Sequence, residues 1–195
     1  MSTEDHLSLD ELRQLGVRLS GSGRQVRVSR YARLHGADRI TLGDNVRIDD
    51  FAILSAGGGA IRLDDHIHVA SHCCLYGGGG IVMGRFTGLS ARVTVYSQTD
   101  DFSGDCMCHP VVDEDLRRVR KQAVTLNPFS IVGASSTLMP GVELGEGAAV
   151  GAHSFVTQSC ADWTVSAGVP ARRIGSRACG QVNLAKEFVQ RWEAP

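Results

Sequence analysis

The chain has 195 residues, enough for one or two domains, and its 20 Lys and Arg against 21 Asp and Glu give a net charge of -1. This balance provides no electrostatic basis for binding nucleic acid or an acidic membrane surface. No apolar run approaches the roughly 20 residues that a membrane-spanning helix needs. The acidic N-terminus, MSTEDHLSLDELRQLG, lacks the pattern of a signal peptide, so we expect a cytoplasmic protein without a membrane span.

The first predicted element is a short helical cap within residues 1–25. Ser8 and Glu11 have the spacing of a capping box, in which each side chain accepts a hydrogen bond from the other residue's backbone N–H. Leu12 is one of its apolar positions, and Gly16 is expected to end the helix. The cap precedes a long repeat, and repetitive folds need such caps at their ends.

Residues 26–175 repeat with a period of six. The first position of each hexad is aliphatic and the fifth is usually small or Val, as in LGDNVR, IDDFAI, LDDHIH, VASHCC, MGRFTG, LSARVT, LNPFSI, VGASST, LMPGVE, LGEGAA, VGAHSF and VTQSCA. Six matches neither the 3.6-residue period of a helix nor the two-residue period of a strand. It predicts a chain that turns a corner every six residues, with three flat faces per coil of about eighteen residues and the aliphatic side chains stacked inward.

The composition agrees with a fold that buries thin layers. The chain has 23 Gly and only 6% aromatic residues. Two of the coils are slightly longer than eighteen residues, and the excess falls in the glycine-rich stretches AGGGA and GGGGI. We expect these stretches to bulge at corners, where a side chain would clash.

A polar insertion, residues 97–123, interrupts the repeat between Val95 and Val124. Loops of this length inside compact domains are usually functional or disordered. The charged stretch DEDLRRVRKQ is expected to be a solvated face with about one helical turn. The candidates for holding the hydroxyls of an acceptor are Ser97, Gln98, Asp100 and Asp101.

The cysteines and histidines do not predict a metal site. Six cysteines in a chain of this length do not suggest a secreted disulfide scaffold. Cys106 and Cys108 lack a second Cys/His pair at zinc-finger spacing. His66, His68 and His72 are clustered in one coil, and the next coil has no histidine. Ligands so placed cannot easily surround a metal ion of tetrahedral coordination.

The last predicted element is a C-terminal helix within residues 176–195. Leu184, Phe188 and Trp192 are spaced at i, i+4 and i+8, which forms one apolar stripe on a helix. We expect this stripe to pack against the coils or a neighbouring subunit.

The hexads and the GVPARR ending resemble the hexapeptide-repeat acyltransferases, in particular galactoside and polysaccharide O-acetyltransferases. The resemblance implies an all-β fold, a left-handed parallel β-helix with short N-terminal and C-terminal helices and one long inserted loop. It supplies the handedness, which the period does not decide and which is opposite to the rule for parallel crossovers. It also implies acetyl-CoA as donor, bound in a groove between subunits of a homotrimer, because one thin prism offers only one wall of a groove.

Matched position by position, the resemblance implies five contacts to acetyl-CoA. Ala134 would flank the pantetheine arm near the thioester, and Ala152 and Thr157 would continue the groove. Coil geometry alone would also select these small residues. Arg172, with Arg173 as its helper, would meet the nucleotide phosphates, because the planar guanidinium donates bidentately to phosphate.

In the galactoside enzymes, a loop at this point of the fold carries a His-Pro pair whose histidine is the general base. His109-Pro110 matches this pair, and the ordinary histidine pKa of about 6.5 suits the role. The chain departs from the family at Ala70, where the family has an asparagine that supports the acceptor. His68 and His72 are the alternative bases, since the coil before the loop could place either one at the same cleft.

These expectations combine into an O-acetyltransferase that moves acetyl from acetyl-CoA to a hydroxyl of a saccharide or a surface-polysaccharide precursor by direct attack on the thioester. A nucleotide-sugar N-acyltransferase is the first alternative, although such enzymes commonly carry an extra N-terminal domain or a different loop. A metal-dependent carbonic-anhydrase-like protein and a non-catalytic β-helix are the others.

Overall fold

The computed structural model describes residues 5–194; residues 1–4 and 195, the outer ends of the two predicted caps, lie outside the described residues. Strands from successive coils pair in parallel and stack into three sheets, which form the faces of a prism. This arrangement confirms the predicted left-handed parallel β-helix.

Each coil contributes one strand to each face in turn. The first face has nine strands, of which the outermost on each side is antiparallel: His6–Leu7, Arg27–Ser29, Arg47–Ile48, His68–Val69, Gly88–Leu89, Ile131–Val132, Ala149–Val150, Thr164–Gly168 and Ala171–Ser176. The second face has six: Arg33–His35, Ile53–Ser55, Cys74–Tyr76, Thr94–Tyr96, Thr137–Leu138 and Phe155–Val156. The third face has six: Arg18–Leu19, Ile40–Leu42, Ile61–Leu63, Ile81–Met83, Val124–Leu126 and Glu143–Leu144.

The first residues of the hexads form the core. In five complete coils none of these side chains is more than 3% exposed: Leu42, Ile48, Leu54, Leu63, Val69, Leu75, Met83, Leu89, Val95, Leu126, Val132, Leu138, Leu144, Val150 and Val156. Each one lies against its equivalents in the coils above and below, because the register of the parallel strands pairs position with position. The inward stacking predicted from the period of six is confirmed.

The two glycine-rich bulges stack on each other and support the inserted segment. A Cβ at Gly59 would collide with the carbonyl oxygen of Gly77 in the next coil. A Cβ at Gly79 would collide in the same way with the carbonyl oxygen of Ser97, the first residue of the insertion. Only glycine allows backbones to approach this closely, so the bulges form the base from which the insertion leaves the prism.

Two helices pack against the prism. Leu9–Gln14 begins at the predicted capping box, in which the Glu11 N–H donates to the Ser8 hydroxyl at 3.2 Å. Gln181–Glu193 packs on its own coils, with the Trp192 ring 5.3 Å from that of His66. No helix within residues 5–194 is long and apolar enough to cross a membrane.

Candidate functional site

The inserted segment is an anchored hairpin. Gln98–Asp100 pairs antiparallel with Val119–Lys121. At its base, the Ser97 hydroxyl donates to the carbonyl oxygen of Tyr76 at 2.8 Å and accepts the N–H of Gly79 at 2.9 Å. Ser97 is fully buried. Its prediction as a substrate-binding residue is wrong, because its hydroxyl is out of reach of a substrate and holds the hairpin to the coil.

The two aspartates of the hairpin have different surroundings. Asp101 accepts the N–H of Ser103 at 2.8 Å and pairs with Arg118 at 3.4 Å, and these interactions, led by the Ser103 N–H, hold the pKa of Asp101 below its ordinary value. Asp100 accepts one hydrogen bond, from the backbone N–H of His109 to Oδ2 at 3.3 Å. Its Oδ1 accepts no hydrogen bond from any described residue, so this carboxylate is able to receive a ligand donor.

His109 is exposed and has a left-handed backbone, with φ of 63°. Its imidazole forms no hydrogen bond within residues 5–194, and its contact to Asp100 is made through the main chain. The structure therefore places His109 next to a candidate carboxylate but gives its ring no partner that would orient it as a base.

A largely apolar cavity of about 510 Å³ lies between the hairpin and the second face. Tyr76 and Tyr96 form part of its floor, with their rings stacked at 5.1 Å between centroids, and Phe155 continues the floor toward the C-terminal coils. Gln98 and Asp100 also line the cavity. The predicted residues Gln98 and Asp100 are therefore brought together, at the edge of this apolar cavity.

Arg117 departs from the solvated face predicted for the charged stretch. Its side chain is only 14% exposed and lines the cavity. Its Nε has no hydrogen-bond partner, and its acidic neighbour, Glu114, is 3.8 Å away and 97% exposed. A guanidinium buried with so little compensation is costly unless a ligand oxygen accepts its hydrogen bonds. The one helical turn predicted nearby is present as the 3-10 turn Glu114–Leu116.

His68 lies outside the hairpin, on the first face. Its Nε2 is 2.8 Å from Asp49 Oδ2, and Arg47 Nε donates to Asp49 Oδ1 at 2.6 Å. Burial acts to raise the pKa of Asp49, but the hydrogen bonds from His68 and Arg47 outweigh it and lower that pKa. His68 is thus an oriented imidazole with one nitrogen held by a carboxylate.

His72 and His66 belong to stacked corners rather than to a site. His72 has a left-handed backbone at the corner between the first and second faces, and its ring stacks on Phe51 at 5.1 Å. His66 stacks on Phe86 at 4.6 Å at a different corner. His72 lies one coil from Ser90 at this corner rather than in the hairpin, and its role as an alternative base stays a prediction. Within residues 5–194, no group of three or more His, Cys, Asp or Glu could hold a metal ion.

A row of small residues follows one edge of the first face. The strand register places Ser90, Gly133, Gly151, Ala167 and Arg172 side by side in consecutive strands. A Cβ at Gly133 would strike the backbone of the next coil, so coil packing by itself requires glycine there. The row nevertheless leaves a track without large side chains between a serine and an arginine, over four strand spacings or about 19 Å.

Two of the three small residues predicted to contact the cofactor lie beside this track. Ala134 and Ala152 follow Gly133 and Gly151 at the same corner, and the His153 N–H donates to the Ala134 carbonyl oxygen at 2.8 Å. Thr157 does not share this corner. It follows the strand Phe155–Val156 and lies at the far edge of the second face, so within one chain it is not beside Ala134 and Ala152, and its contact to the cofactor stays a prediction.

Arg172 and Arg173 lie on the final antiparallel strand, opposite Ala167 and Ser166. Both are exposed. Arg173 donates to the Ser176 hydroxyl at 3.0 Å, and Arg172 bonds its neighbouring carbonyl oxygen. Neither guanidinium is engaged by a carboxylate within the described residues, so both are able to meet an anion.

Ser90 was missed by the sequence reasoning, although a signal for it was present. It is half-buried, and its hydroxyl forms no hydrogen bond within residues 5–194. The register pairs Leu89 with Val69, which puts Ser90 beside Ala70. Ala70 is the place where the family has its asparagine. The polar residue is therefore one coil further on, and counting one more coil along the repeat would have found it.

Comparisons with known proteins define the class. The chain is 36% identical over 180 residues to the dTDP-4-amino-4,6-dideoxy-D-glucose acyltransferase of Escherichia coli, covering 92% of this chain and 94% of that protein. With the β-helix and its hexads, this likeness shows that the chain belongs to the hexapeptide-repeat acyltransferases. The predicted acyltransferase class is confirmed. No protein-family profile matches the chain.

Two further relatives extend the comparison. AntD, an N-acyltransferase from Bacillus cereus solved with dTDP-4-amino-4,6-dideoxyglucose and coenzyme A, is 37% identical with a TM-score of 0.90, covering 97% of this chain and 100% of that one. It has also been solved with dTDP and 3-hydroxybutyryl-CoA. WbbJ of Escherichia coli K12, which bears the name lipopolysaccharide biosynthesis O-acetyl transferase, is 31% identical over 142 residues, 70% of this chain and 68% of that protein.

Proposed function

We propose that this protein is a nucleotide-sugar N-acyltransferase, which moves an acyl group from acyl-CoA to the amino group of a dTDP-linked 4-amino-4,6-dideoxyhexose. The observation that carries the proposal is the likeness to AntD over nearly the whole of both chains. The first alternative from the sequence thus replaces the predicted O-acetyltransferase as the favoured function. The argument against it was the extra N-terminal domain that such enzymes commonly carry, and it loses its force because AntD matches 97% of this chain over 100% of its own solved chain.

A pair of residues supports the same assignment. The solved AntD variants carry single substitutions at a serine and at an aspartate ten positions later. Ser90 and Asp100 have this spacing, and both have polar atoms that no described residue occupies. Ser90 follows a strand of the first face and the hairpin follows a strand of the second face, so the two residues lie at different corners of one chain. In the proposed trimer, the hairpin of one subunit would reach Ser90 of the next, and the acceptor and the donor would meet between them.

The chemistry follows from these two groups. The neutral sugar amine attacks the thioester carbonyl carbon, forming a C–N bond while the carbonyl oxygen gains negative charge. The Ser90 hydroxyl donates to this oxyanion, and Asp100 accepts a hydrogen bond from the attacking amine and takes its surplus proton. The C–S bond then breaks, and the proton passes to the CoA thiolate. An amine needs less help from a base than a hydroxyl does, which agrees with the unoriented ring of His109.

The donor lies along the small-residue track. The pantetheine arm runs from Ser90 past Ala134 and Ala152, where corner N–H and C=O groups are accessible, and the phosphates meet Arg172 and Arg173. The second wall of this groove comes from another subunit in a homotrimer, and Thr157 contributes from that side. Measurement of the mass in solution by light scattering tests the trimer; a monomer that retains full activity would contradict it.

The cavity beneath the hairpin accommodates the acyl chain. It has room for a group larger than acetyl, and Arg117 would donate to a hydroxyl or carbonyl oxygen on that chain. The complex of AntD with 3-hydroxybutyryl-CoA supports a donor of this kind. We expect Tyr96→Ala to reduce kcat/KM for 3-hydroxybutyryl-CoA and to leave that for acetyl-CoA nearly unchanged. An equal reduction for both donors would contradict this use of the cavity.

Three acceptors test the function in one assay of thiol release from acyl-CoA. They are dTDP-4-amino-4,6-dideoxyglucose, the dTDP-6-deoxyglucose that has a hydroxyl at the same carbon, and the free amino sugar without the nucleotide. We expect transfer to the first only, with mass spectrometry showing an amide product, and His109→Ala retaining most of the activity. Transfer to the hydroxyl sugar alone would support the predicted O-acyltransferase instead. Loss of activity in His109→Ala would support His109 as the general base.

A further inference from the structure

The first face carries a row of basic side chains on the N-terminal side of Ser90. The register pairs Arg27 with Arg47, Arg47 with His68, and His68 with Gly88. These residues occupy equivalent outward positions of consecutive strands, and Gly88 is two residues from Ser90. Because the strands are about 4.8 Å apart, the row extends about 14 Å from Gly88 to Arg27.

Two arginines directly opposite each other on neighbouring strands repel, and such pairs are destabilising unless an anion compensates them. Asp49 compensates one of the two. Its Oδ1 accepts from Arg47 Nε and its Oδ2 contacts His68 Nε2, so both oxygens of this carboxylate are occupied. Arg27 is exposed, and no carboxylate pairs with it among the described residues.

The position of the row relative to Ser90 separates the two substrates. The track of small residues toward Arg172 runs from Ser90 in the C-terminal direction, whereas the basic row runs from the same point in the N-terminal direction. A nucleotide sugar has its reacting amine and its diphosphate on opposite sides of one hexose ring. With the amine at Ser90, the ring lies over Gly88 and His68, and the diphosphate falls one or two strands further on.

We propose that Arg27 and Arg47 bind the diphosphate of the acceptor, and that His68, held by Asp49, is a positioning residue beside the sugar ring. This inference rests on the proposed function, because it names the subsite for the acceptor of that reaction. Arginine suits the task, since its planar guanidinium donates two parallel hydrogen bonds to phosphate oxygens. The first face thus binds the nucleotide sugar at one end and acyl-CoA at the other, and each substrate has its own pair of arginines.

The test is the KM of each substrate in Arg27→Ala, measured on the assembled protein with dTDP-4-amino-4,6-dideoxyglucose and acyl-CoA. Because hydrogen bonds to charged groups are strong, we expect the KM for the nucleotide sugar to rise about tenfold or more, with the KM for acyl-CoA unchanged. Arg27→Lys should show an intermediate rise. Arg33→Ala is the matched control, since Arg33 is also exposed but lies on the second face, and it should change neither constant.

Binding of dTDP to the same variants, measured by calorimetry, distinguishes the possible failures. An unchanged Kd for dTDP and an unchanged KM in Arg27→Ala would overturn the inference while the enzyme still acylates the nucleotide sugar. A rise in the KM for acyl-CoA would instead assign the row to the donor phosphates, and a change in oligomeric mass would assign it to a subunit contact. Absence of transfer to any nucleotide sugar by the unsubstituted protein would refute the proposed function itself.

Discussion

The first face of the β-helix and the inserted hairpin hold their candidate residues in different ways. On the first face, the position of Ser90 is fixed by the coils on either side, since the strand register decides which residues are neighbours. In the hairpin, Asp100 and Asp101 are fixed by local hydrogen bonds from His109 and Ser103. The coil therefore provides a rigid, repetitive scaffold, and the hairpin provides side chains that the repeat has no place for.

The largest effect is expected at the hairpin. Asp100→Ala should reduce kcat by about 10²- to 10⁴-fold, the usual contribution of a positioned acid or base, without changing the melting temperature. Asp105→Ala is the control, because Asp105 is an exposed aspartate of the same segment. Steady-state kinetics and circular dichroism measure the two quantities. A tenfold or smaller loss would show that Asp100 does not act on the amine.

The same substitution in the two regions compares their contributions to stability. Leu126→Ala removes a fully buried core side chain and should reduce the free energy of unfolding by about 2–5 kcal/mol. Leu116→Ala removes a side chain of the insertion that is 49% exposed and should change it by less than about 0.5 kcal/mol. Urea denaturation measures both. Similar losses would mean that the hairpin folds as part of the core.

Ser90 is the residue of the rigid face that should act in the reaction. Ser90→Ala should reduce kcat by about 10²-fold, because removing one donor to an oxyanion has this effect. Ser90→Thr retains the hydroxyl and should recover much of the loss. If the alanine and threonine variants are equally impaired, the role of Ser90 is steric and the oxyanion is stabilised by another group.

The coils could be predicted from the sequence much further than the hairpin. Aliphatic residues at every sixth position determined the faces and the core, because one inward position repeats in each turn. The same count would have aligned Ser90 with Ala70. Ser97 could not be placed in this way. It is a polar residue at the start of a polar loop, which suggests ligand binding, but its burial depends on the contact with the Gly79 bulge, which no local pattern reveals. The burial of Arg117 likewise depends on how the hairpin folds back over the second face.

The smallest effect is expected on the pKa values of two aspartates, Asp49 of the first face and Asp101 of the hairpin. In both Asp49 and Asp101 the pKa in the folded protein is below its ordinary value of 3.8. Each carboxylate therefore contributes stability that is present above that value and is lost as the pH falls through the lowered pKa.

His68→Ala removes the largest interaction that lowers the pKa of Asp49, so we expect that pKa to rise. Ser103→Ala leaves the main-chain N–H that dominates at Asp101, so its pKa should rise less. Carboxyl carbon shifts followed by NMR between pH 2 and about 6 measure both values. A larger rise at Asp101 than at Asp49 would mean that the hairpin holds its carboxylate by side chains, as the coil does, rather than by its backbone.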